Sequence, residues 1–292
     1  MYVLAHLSDP HLGPMPRAHP FELAGKRAIG FINWHRGRKK IHRADVLLGL
    51  VSDLREQNPD HIAVTGDLVN IALPGEFHTS REFLEALGTP QAVSVVPGNH
   101  DLYVRRVRDA AMAHWGEFMA GDGGEGFPYL RRRGPLALIG VSSAVPTAPF
   151  MATGMVGTHQ LLALRDLLDR LRGEDLFRVI MIHHPPMTKK GDRFKRLIDR
   201  IAFRELIAEH GAELVLHGHD HVHSIAFIEG PGGPVPVAGV PSASSLGGHG
   251  DPAAYNLYRI ERRDNVWRCE AVTRGLRRDR PDIAELARRM IA

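Results

Sequence analysis

The chain of 292 residues contains one cysteine, Cys269, so it cannot close an internal disulfide, and a disulfide framework is excluded. No apolar run approaches the roughly 20 residues needed to cross a bilayer as a helix. There is no internal repeat, low-complexity tract or Pro/Ser linker. The 30 Gly and 20 Pro follow no period and lie between apolar runs, which rules out collagen-like and disordered chains. The opening residues Tyr2-Val3-Leu4-Ala5-His6-Leu7 read as a strand, with no basic lead and no cleavage site. Together these absences point to a reducing, cytoplasmic setting.

What is present is enough apolar matter, 43% of residues, to bury a sizeable core. With no linker to divide it, the chain is expected to form a single domain over 1–292. A basic insertion interrupts it at about 14–43, and a β-rich/helical extension closes it at about 250–292. The net charge of +4 is unevenly spread: between Arg17 and Arg43 eight basic residues face one acid, Glu22. That stretch carries +7 and the remainder −3. Histidine is abundant at 18 residues, and seven of these fall between His183 and His223, more than a solvated surface needs.

Short β-branched runs alternate with helical patterns. Strands are predicted at 2–8, 61–65, 91–96, 136–142, 177–183, 212–217, 222–228, 235–239, 254–260 and 266–273. Helices are predicted at about 42–57, 75–87, 104–119, 157–171, 196–210 and 281–291. The alternation in the first half favours parallel pairing, and the strand-rich stretch 212–273 favours a second, more antiparallel sheet. The expected fold class is α/β, a two-sheet β-sandwich flanked by helices.

Chemistry-bearing residues fall just after the strands. The first strand runs into Ser8-Asp9-Pro10-His11, the second into Thr65-Gly66-Asp67, and the third into Pro97-Gly98-Asn99-His100-Asp101. Two later strands run into His183-His184-Pro185 and His217-Gly218-His219-Asp220-His221. Loops at these ends line the binding crevice of such sheets. Asp9, His11, Asp67, Asn99, His183, His219 and His221 offer oxygen and nitrogen donors without thiolate, a set suited to Mn, Fe, Zn or Co. Two such ions roughly 3.5–4 Å apart clamp a phosphoryl group and activate a bridging water. Asp67, between the flanking sets, is the natural shared carboxylate. Gly66, Gly98 and Gly218 let the backbone turn sharply and come close to the ions.

The ordered set Asp-x-His, Gly-Asp, Gly-Asn-His-Asp, His-His-Pro and Gly-His-x-His, from Asp9 to His221, resembles the calcineurin-like metallophosphoesterase superfamily. The His-His-Pro form and the modest length look closest to its bacterial branch of cyclic-nucleotide and glycerophosphodiester phosphodiesterases. The resemblance implies one metal on Asp9, His11, Asp67 and His221, and a second on Asp67, Asn99, His183 and His219. It implies that His100 orients the phosphate and protonates the leaving oxygen, with Asp101 behind it. The expected function is a dinuclear metal-dependent phosphodiesterase acting on a small-molecule phosphoester with a metal-bridging hydroxide. Asp67, Asn99 and His100 are its catalytic residues. A phosphomonoesterase, a nucleotide-lipid pyrophosphohydrolase and a metal-free binding scaffold are the alternatives. A nuclease is disfavoured, because little chain is left for a DNA-capping domain.

The other histidines are assigned elsewhere. His184, His217 and His223 fall outside the family's ligand positions and are assigned to packing or to supporting the ligands from behind. His6, His35, His42, His61, His78, His114, His159, His210 and His249 are read as surface or packing residues. The segment 17–43 is read as a solvated insertion whose Phe21, Ile29, Phe31, Ile32 and Trp34 pack on the core. Its cations offer a surface to an anionic membrane or lipid, so the chain is placed in the cytoplasm or peripheral to a membrane. Arg131-Arg132-Arg133 is read as a solvated face; for Lys189-Lys190, after the His-His-Pro loop, contact with a distal anion is the less favoured reading. Gly247-Gly248-His249-Gly250, after the serines at 242, 244 and 245, is a rim or lid.

Overall fold

A computed structural model describes residues 1–104, 107–124, 126–187, 193–248, 250–280 and 282–292. Lys189, Lys190 and His249 lie outside the described residues. Two six-stranded mixed sheets make the framework. The first contains β1 (Tyr2–Leu7), β2 (His61–Val64), β3 (Val93–Val95), β10 (Ala254–Arg263), β11 (Val266–Leu276) and β12 (Ile283–Met290), in the order β12-β11-β10-β1-β2-β3. The second contains β4 (Tyr129–Arg133), β5 (Leu136–Gly140), β6 (Phe177–Met181), β7 (Leu214–His217), β8 (Ser224–Gly230) and β9 (Gly233–Gly239), in the order β4-β5-β6-β7-β9-β8. β1, β2 and β3 run parallel, as do β5, β6, β7 and β9.

Period-two alternation explains why the second sheet is apolar on both faces. Leu136, Leu138, Val179, Met181, Leu214 and Leu216 join the core shared with the first sheet. Their neighbours Ala137, Ile139, Ile180, Ile182 and Val215 form a second cluster with Leu164, Leu168 and Leu171 of α6 (Thr158–Leu171) and Phe203 and Ile207 of α7 (Arg200–His210). Leu47, Leu50 and Leu54 of α3 (Ala44–Glu56), Phe77 and Leu84 of α4 (Pro74–Leu87), and Trp115 and Phe118 of α5 (Arg108–Met119) belong to the first core. The fold class is the expected two-sheet α/β sandwich flanked by helices. No helix of the described residues is long and apolar enough to cross a membrane.

Three expectations are corrected. The stretch 212–273 does not form one sheet: β7, β8 and β9 join the second sheet, while β10 pairs antiparallel with β1 and carries β11 with it. Strand patterning says nothing of which sheet accepts a strand. Residues 281–291 were expected to be helical, yet Ile283–Met290 is strand β12, registered against β11 from Glu270↔Met290 to Leu276↔Ile283. Its Ala, Glu, Leu and Arg favour helix, but a paired edge outweighs that weak preference. Arg131-Arg132-Arg133 is a solvated face only in part, since Arg132 is exposed but Arg131 is not. It lies in β4, and the buried Arg131 donates to the backbone carbonyls of Pro90, Val93, Glu117 and Ala120 at 2.5–2.7 Å.

The basic insertion is helical. A 3-10 turn (Pro20–Leu23), α1 (Lys26–Asn33), a π-helical turn (Trp34–Arg38) and the short α2 (Lys39–Ile41) follow one another between β1 and α3. Trp34 is buried, and Leu23 and Phe31 pack against the first core. Phe21 and Ile32, expected to pack inward, are exposed.

Candidate metal centre

Every strand-end motif arrives at one edge of the sandwich. β1, β2 and β3 deliver Asp9-x-His11, Asp67 and Asn99-His100, while β6 and β7 of the facing sheet deliver His183, His219 and His221. Backbone bonds lash the loops together: Asp9 N–H donates to Gly66 O at 2.9 Å, His11 N–H to Asp67 O at 3.1 Å, and Gly218 N–H to His183 O at 3.1 Å. Two glycines are required by close approach. A Cβ on Gly98 would strike the Asp67 carboxylate, and one on Gly218 would strike Ser8 Oγ and Asp9 Oδ2.

The backbone itself is unusual here. Asp9, His11, Asp67, His219 and His221 all have φ between 41° and 70°. Non-glycine residues seldom occupy this left-handed region, and each instance costs on the order of 1 kcal/mol or more. Five of the seven expected ligands share it, so the surrounding fold spends stability to aim these side chains inward.

Six of the seven converge tightly. His221 Nε2 is 3.1 Å from Asp9 Oδ1, and His11 Nε2 is 3.4 Å from His221 Nε2 and 3.9 Å from Asp9 Oδ1. His183 Nε2 is 3.4 Å from Asp67 Oδ2 and 3.2 Å from Asn99 Oδ1. Asp67 Oδ2 also lies 3.8 Å from His11 Nε2. Donors about 2.1 Å from a common ion stand roughly 3.0–3.4 Å apart at octahedral to tetrahedral angles, close to these separations. His219 is held less closely: its Nε2 faces Lys195 O at 2.9 Å, yet its ring packs beside those of His183 and His184, and the three imidazoles offer ligand atoms within 4.8 Å of one another.

Charge and burial fit a cation as well. Asp9 and Asp67 are fully or almost fully buried, where an unpaired carboxylate is costly. Burial raises the Asp67 pKa, but His183 and His100 outweigh it and bring the carboxyl down to about 2. For Asp9, burial is outweighed chiefly by His221 and His183, and the pKa falls well below the usual carboxylate range. Burial alone would lower His183; the Asp67 and Asp9 carboxylates raise it to about 10. The pair of carboxylates thus draws positive charge onto the nearest base, a role that a divalent ion fills more strongly.

Other residues differ from expectation. Asp101 does not touch His100; its carboxylate accepts the backbone N–H groups of Asp67, Gly98 and Val69 at 2.8–3.1 Å and so holds the Asp67 and Asn99 loops in register. His100 Nδ1 faces Asn70 O, and its Nε2 lies 3.3 Å from Arg38 Nη1. His184 Nδ1 meets Ser143 Oγ at 2.8 Å and its Nε2 meets Ala152 O at 3.2 Å, so both ring nitrogens have protein partners although the ring stands beside His183 and His219. His217 Nδ1 meets Gly218 O at 2.9 Å, and His223 lines a separate surface cavity of about 220 Å³.

Two residues at the site escaped sequence reasoning, Arg38 and His42, both from the basic insertion. His42, assigned to the surface or packing, is buried with its ring against those of His11 and His221, and the three imidazoles can share an ion. Its Nδ1 pairs with Ser244 Oγ at 2.9 Å, and the neighbouring Ser242 Oγ donates to Asp9 O at 2.6 Å. The serine loop therefore fastens the insertion to the β1 ligand loop. The available signal was position alone, since the insertion begins directly after Asp9-x-His11.

Comparison with known proteins identifies the family and the fold. Residues 2–223 match the family model described as calcineurin-like phosphoesterase. A glycerophosphodiester phosphodiesterase, GpdQ, of Enterobacter lignolyticus is 37% identical over 99 residues, 34% of this chain and 29% of the relative. A protein of Synechococcus sp. described as a probable cyclic nucleotide phosphodiesterase is 32% identical over 202 residues, 68% of this chain and 69% of the relative. Among solved structures, a dimetal phosphatase from Danio rerio shares the fold with a TM-score of 0.67 at 12% identity, covering 99% of this chain and 98% of that one. The purple acid phosphatase PPD1 of yellow lupin aligns with a TM-score of 0.59 at 12% identity, over 97% of this chain and 52% of its own. The strand-end donors and the matched span together make the chain a member of the calcineurin-like phosphoesterase family, and with it a metal-dependent phosphoester hydrolase.

Proposed function

We propose that residues 1–292 work as one dinuclear phosphodiesterase domain on a small-molecule substrate. One cation is assigned to Asp9, His11, Asp67 and His221, the other to Asp67, Asn99, His183 and His219, with Mn, Fe, Zn or Co as candidates. Such a pair supplies a water activated at neutral pH and neutralises charge on the phosphoryl group. The observation that carries the reading is Asp67, whose single Oδ2 reaches toward the Nε2 of both His11 and His183. The diester preference rests on the phosphodiesterase names of both curated relatives.

The remaining work falls to side chains. Asn99 Oδ1 faces His183, which leaves its amide N–H groups to meet a non-bridging oxygen. His100 is recast. A carbonyl only accepts, so the ring donates Nδ1–H to Asn70 O and its Nε2 carries a lone pair. Burial lowers its pKa to about 4, with Asp67 pulling up and Arg38 pushing down. A ring in that state is a poor proton source at neutral pH, and we assign it to positioning rather than to protonation of the leaving oxygen.

The outer face of the insertion supports a second contact. Phe21 and Ile32 are exposed in the same insertion as the exposed Arg36, Lys39 and Lys40, a combination suited to an anionic lipid surface. Co-sedimentation with phosphatidylglycerol vesicles should fall on Phe21→Ser with Ile32→Ser, and equal pelleting would remove that contact.

The enzymatic reading is tested by turnover of bis(p-nitrophenyl) phosphate against p-nitrophenyl phosphate, with cyclic nucleotides, glycerophosphodiesters and a nucleotide-linked lipid in the same panel. Activity should vanish on chelation, return with Mn2+ or another transition ion, and favour the diesters. Full activity after chelation would overturn the metal chemistry, and faster monoester turnover would overturn the diester preference.

A further inference from the structure

The insertion sends one cation inward that no strand-end motif accounts for. Arg38 closes the π-helical turn Trp34–Arg38, a kind of turn that concentrates at functional sites. Its Nη1 is 3.3 Å from His100 Nε2, and its Nη2 is 3.0 and 3.2 Å from the two ring nitrogens of His11. Among the described residues Arg38 forms no ion pair; Asp67, Asp9 and Glu76 act on it only through space, and burial lowers its pKa. A guanidinium offers five N–H donors in a planar fork whose usual match is an oxyanion. Here it is held in a half-buried site against two imidazole rings rather than a carboxylate, an expensive placement unless an anion completes it.

Its position is built rather than incidental. Buried Trp34 anchors the turn, and His42 N–H donates to Arg38 O at 2.9 Å. Arg43 N–H donates to Ser244 O at 2.9 Å and Leu246 N–H to Ile41 O at 3.0 Å, so the serine loop clasps the segment that follows. On the other side, the lone pair at His100 Nε2 accepts from the guanidinium, and the His100 ring is backed by Tyr103 with centroids 5.5 Å apart. Lys26 adds a second positive charge nearby, over the Tyr103 ring, with its own donors used by Thr147 and Met151.

We infer that the insertion supplies an anion subsite to the metal centre: Arg38, steered by His100, binds a non-bridging oxygen of the substrate phosphoryl group or of phosphate. His11 would be engaged in holding a cation, which would leave the Arg38 fork to His100 and the incoming anion. The inference rests on the dinuclear phosphoesterase reading, and explains why a cation from outside the motif set reaches the reacting end of the site.

Binding of inorganic phosphate to the Mn2+-loaded protein, followed by calorimetry with metal content measured on the same samples, tests it. Arg38→Gln should keep its metal while its phosphate Kd rises about 10- to 100-fold, the worth of a charged hydrogen bond. KM for bis(p-nitrophenyl) phosphate should rise in parallel. Arg38→Lys, which keeps a point charge without the fork, should recover part of the loss, and it carries the test if Arg38→Gln fails to fold. Unchanged phosphate affinity in Arg38→Gln, or loss of metal from it, overturns the subsite. Wild-type protein that takes up no metal or hydrolyses no phosphoester would overturn the underlying reading instead, before any substitution is made.

Discussion

Replacing Asp67 with asparagine should uncouple metal binding from folding. The fold has reason to tolerate Asp67→Asn, because the carboxamide oxygen can still accept the His100 N–H that now reaches Asp67 Oδ1 at 2.7 Å. What is lost is one negative charge at the oxygen facing both His11 and His183. A ligand that binds only the native state stabilises it by RT ln(1 + [L]/Kd), about 2.7 kcal/mol at a hundred times Kd. For a chain of this length that corresponds to a rise of roughly 5 °C in Tm. If the substitution weakens binding about 100-fold, at the upper end of what even outer residues of a metal site contribute, the same Mn2+ concentration leaves about 0.4 kcal/mol. The shift then shrinks to roughly 1 °C. Differential scanning fluorimetry of chelated protein, with and without Mn2+, reads both values. His159→Ala on the exposed face of α6 serves as the control that keeps the full shift. A full shift in Asp67→Asn would refute the shared role of this carboxylate.

Other consequences are open to measurement. Gly218→Ala should lower Tm by an amount corresponding to about 1–3 kcal/mol and cut turnover, since the added Cβ meets Ser8 Oγ and Asp9 Oδ2; unchanged stability in a melt would contradict that close approach. His42→Ala should loosen metal by about tenfold in a competitive chelator titration, through loss of the imidazole facing His11 and His221. Asp53→Ala should cost about 2–3 kcal/mol in urea unfolding, because the carboxylate accepts Tyr255 Oη at 2.6 Å and the Arg274 guanidinium at 2.6 and 2.8 Å. Burial raises the Asp53 pKa, but those hydrogen bonds outweigh it and hold the carboxyl below its ordinary value. A depressed pKa stabilises the fold fully above the unfolded value of about 4, and that contribution fades as pH falls through the folded one. Wild type and Asp53→Ala should therefore converge in stability in acid, and parallel curves would reject the pair's role. His100→Ala should retain metal by elemental analysis while losing turnover; metal loss would make it a ligand.

The donors were legible because they are tied to the ends of short, largely apolar strands of three to six residues. Taking His183 over its neighbour His184 rested on the His-x-Pro spacing that the family resemblance implies, whereas Asp9, His11, Asp67, Asn99 and His221 follow the rule that parallel strands present their C-terminal loops on one edge. His219 belongs to the same motif, yet its imidazole turns toward Lys195 O, a rotamer that no spacing encodes. Arg38 and His42 were hidden for a different reason. Eight cations in one stretch read as a surface, whereas the buried Trp34 and the clasp from Ser244 turn two members of that stretch inward. The same nonlocality decided β12, where helix-forming residues complete a sheet because β11 leaves an edge for them. It also decided Arg131, whose charge is consumed by four backbone carbonyls rather than by water.

Anomalous diffraction from crystals of the chelated chain soaked in Mn2+ tests the paired centre most directly. Two peaks about 3.5–4 Å apart, flanking the Asp67 carboxylate, are predicted. A single peak, or none beside Asp67, would contradict the account.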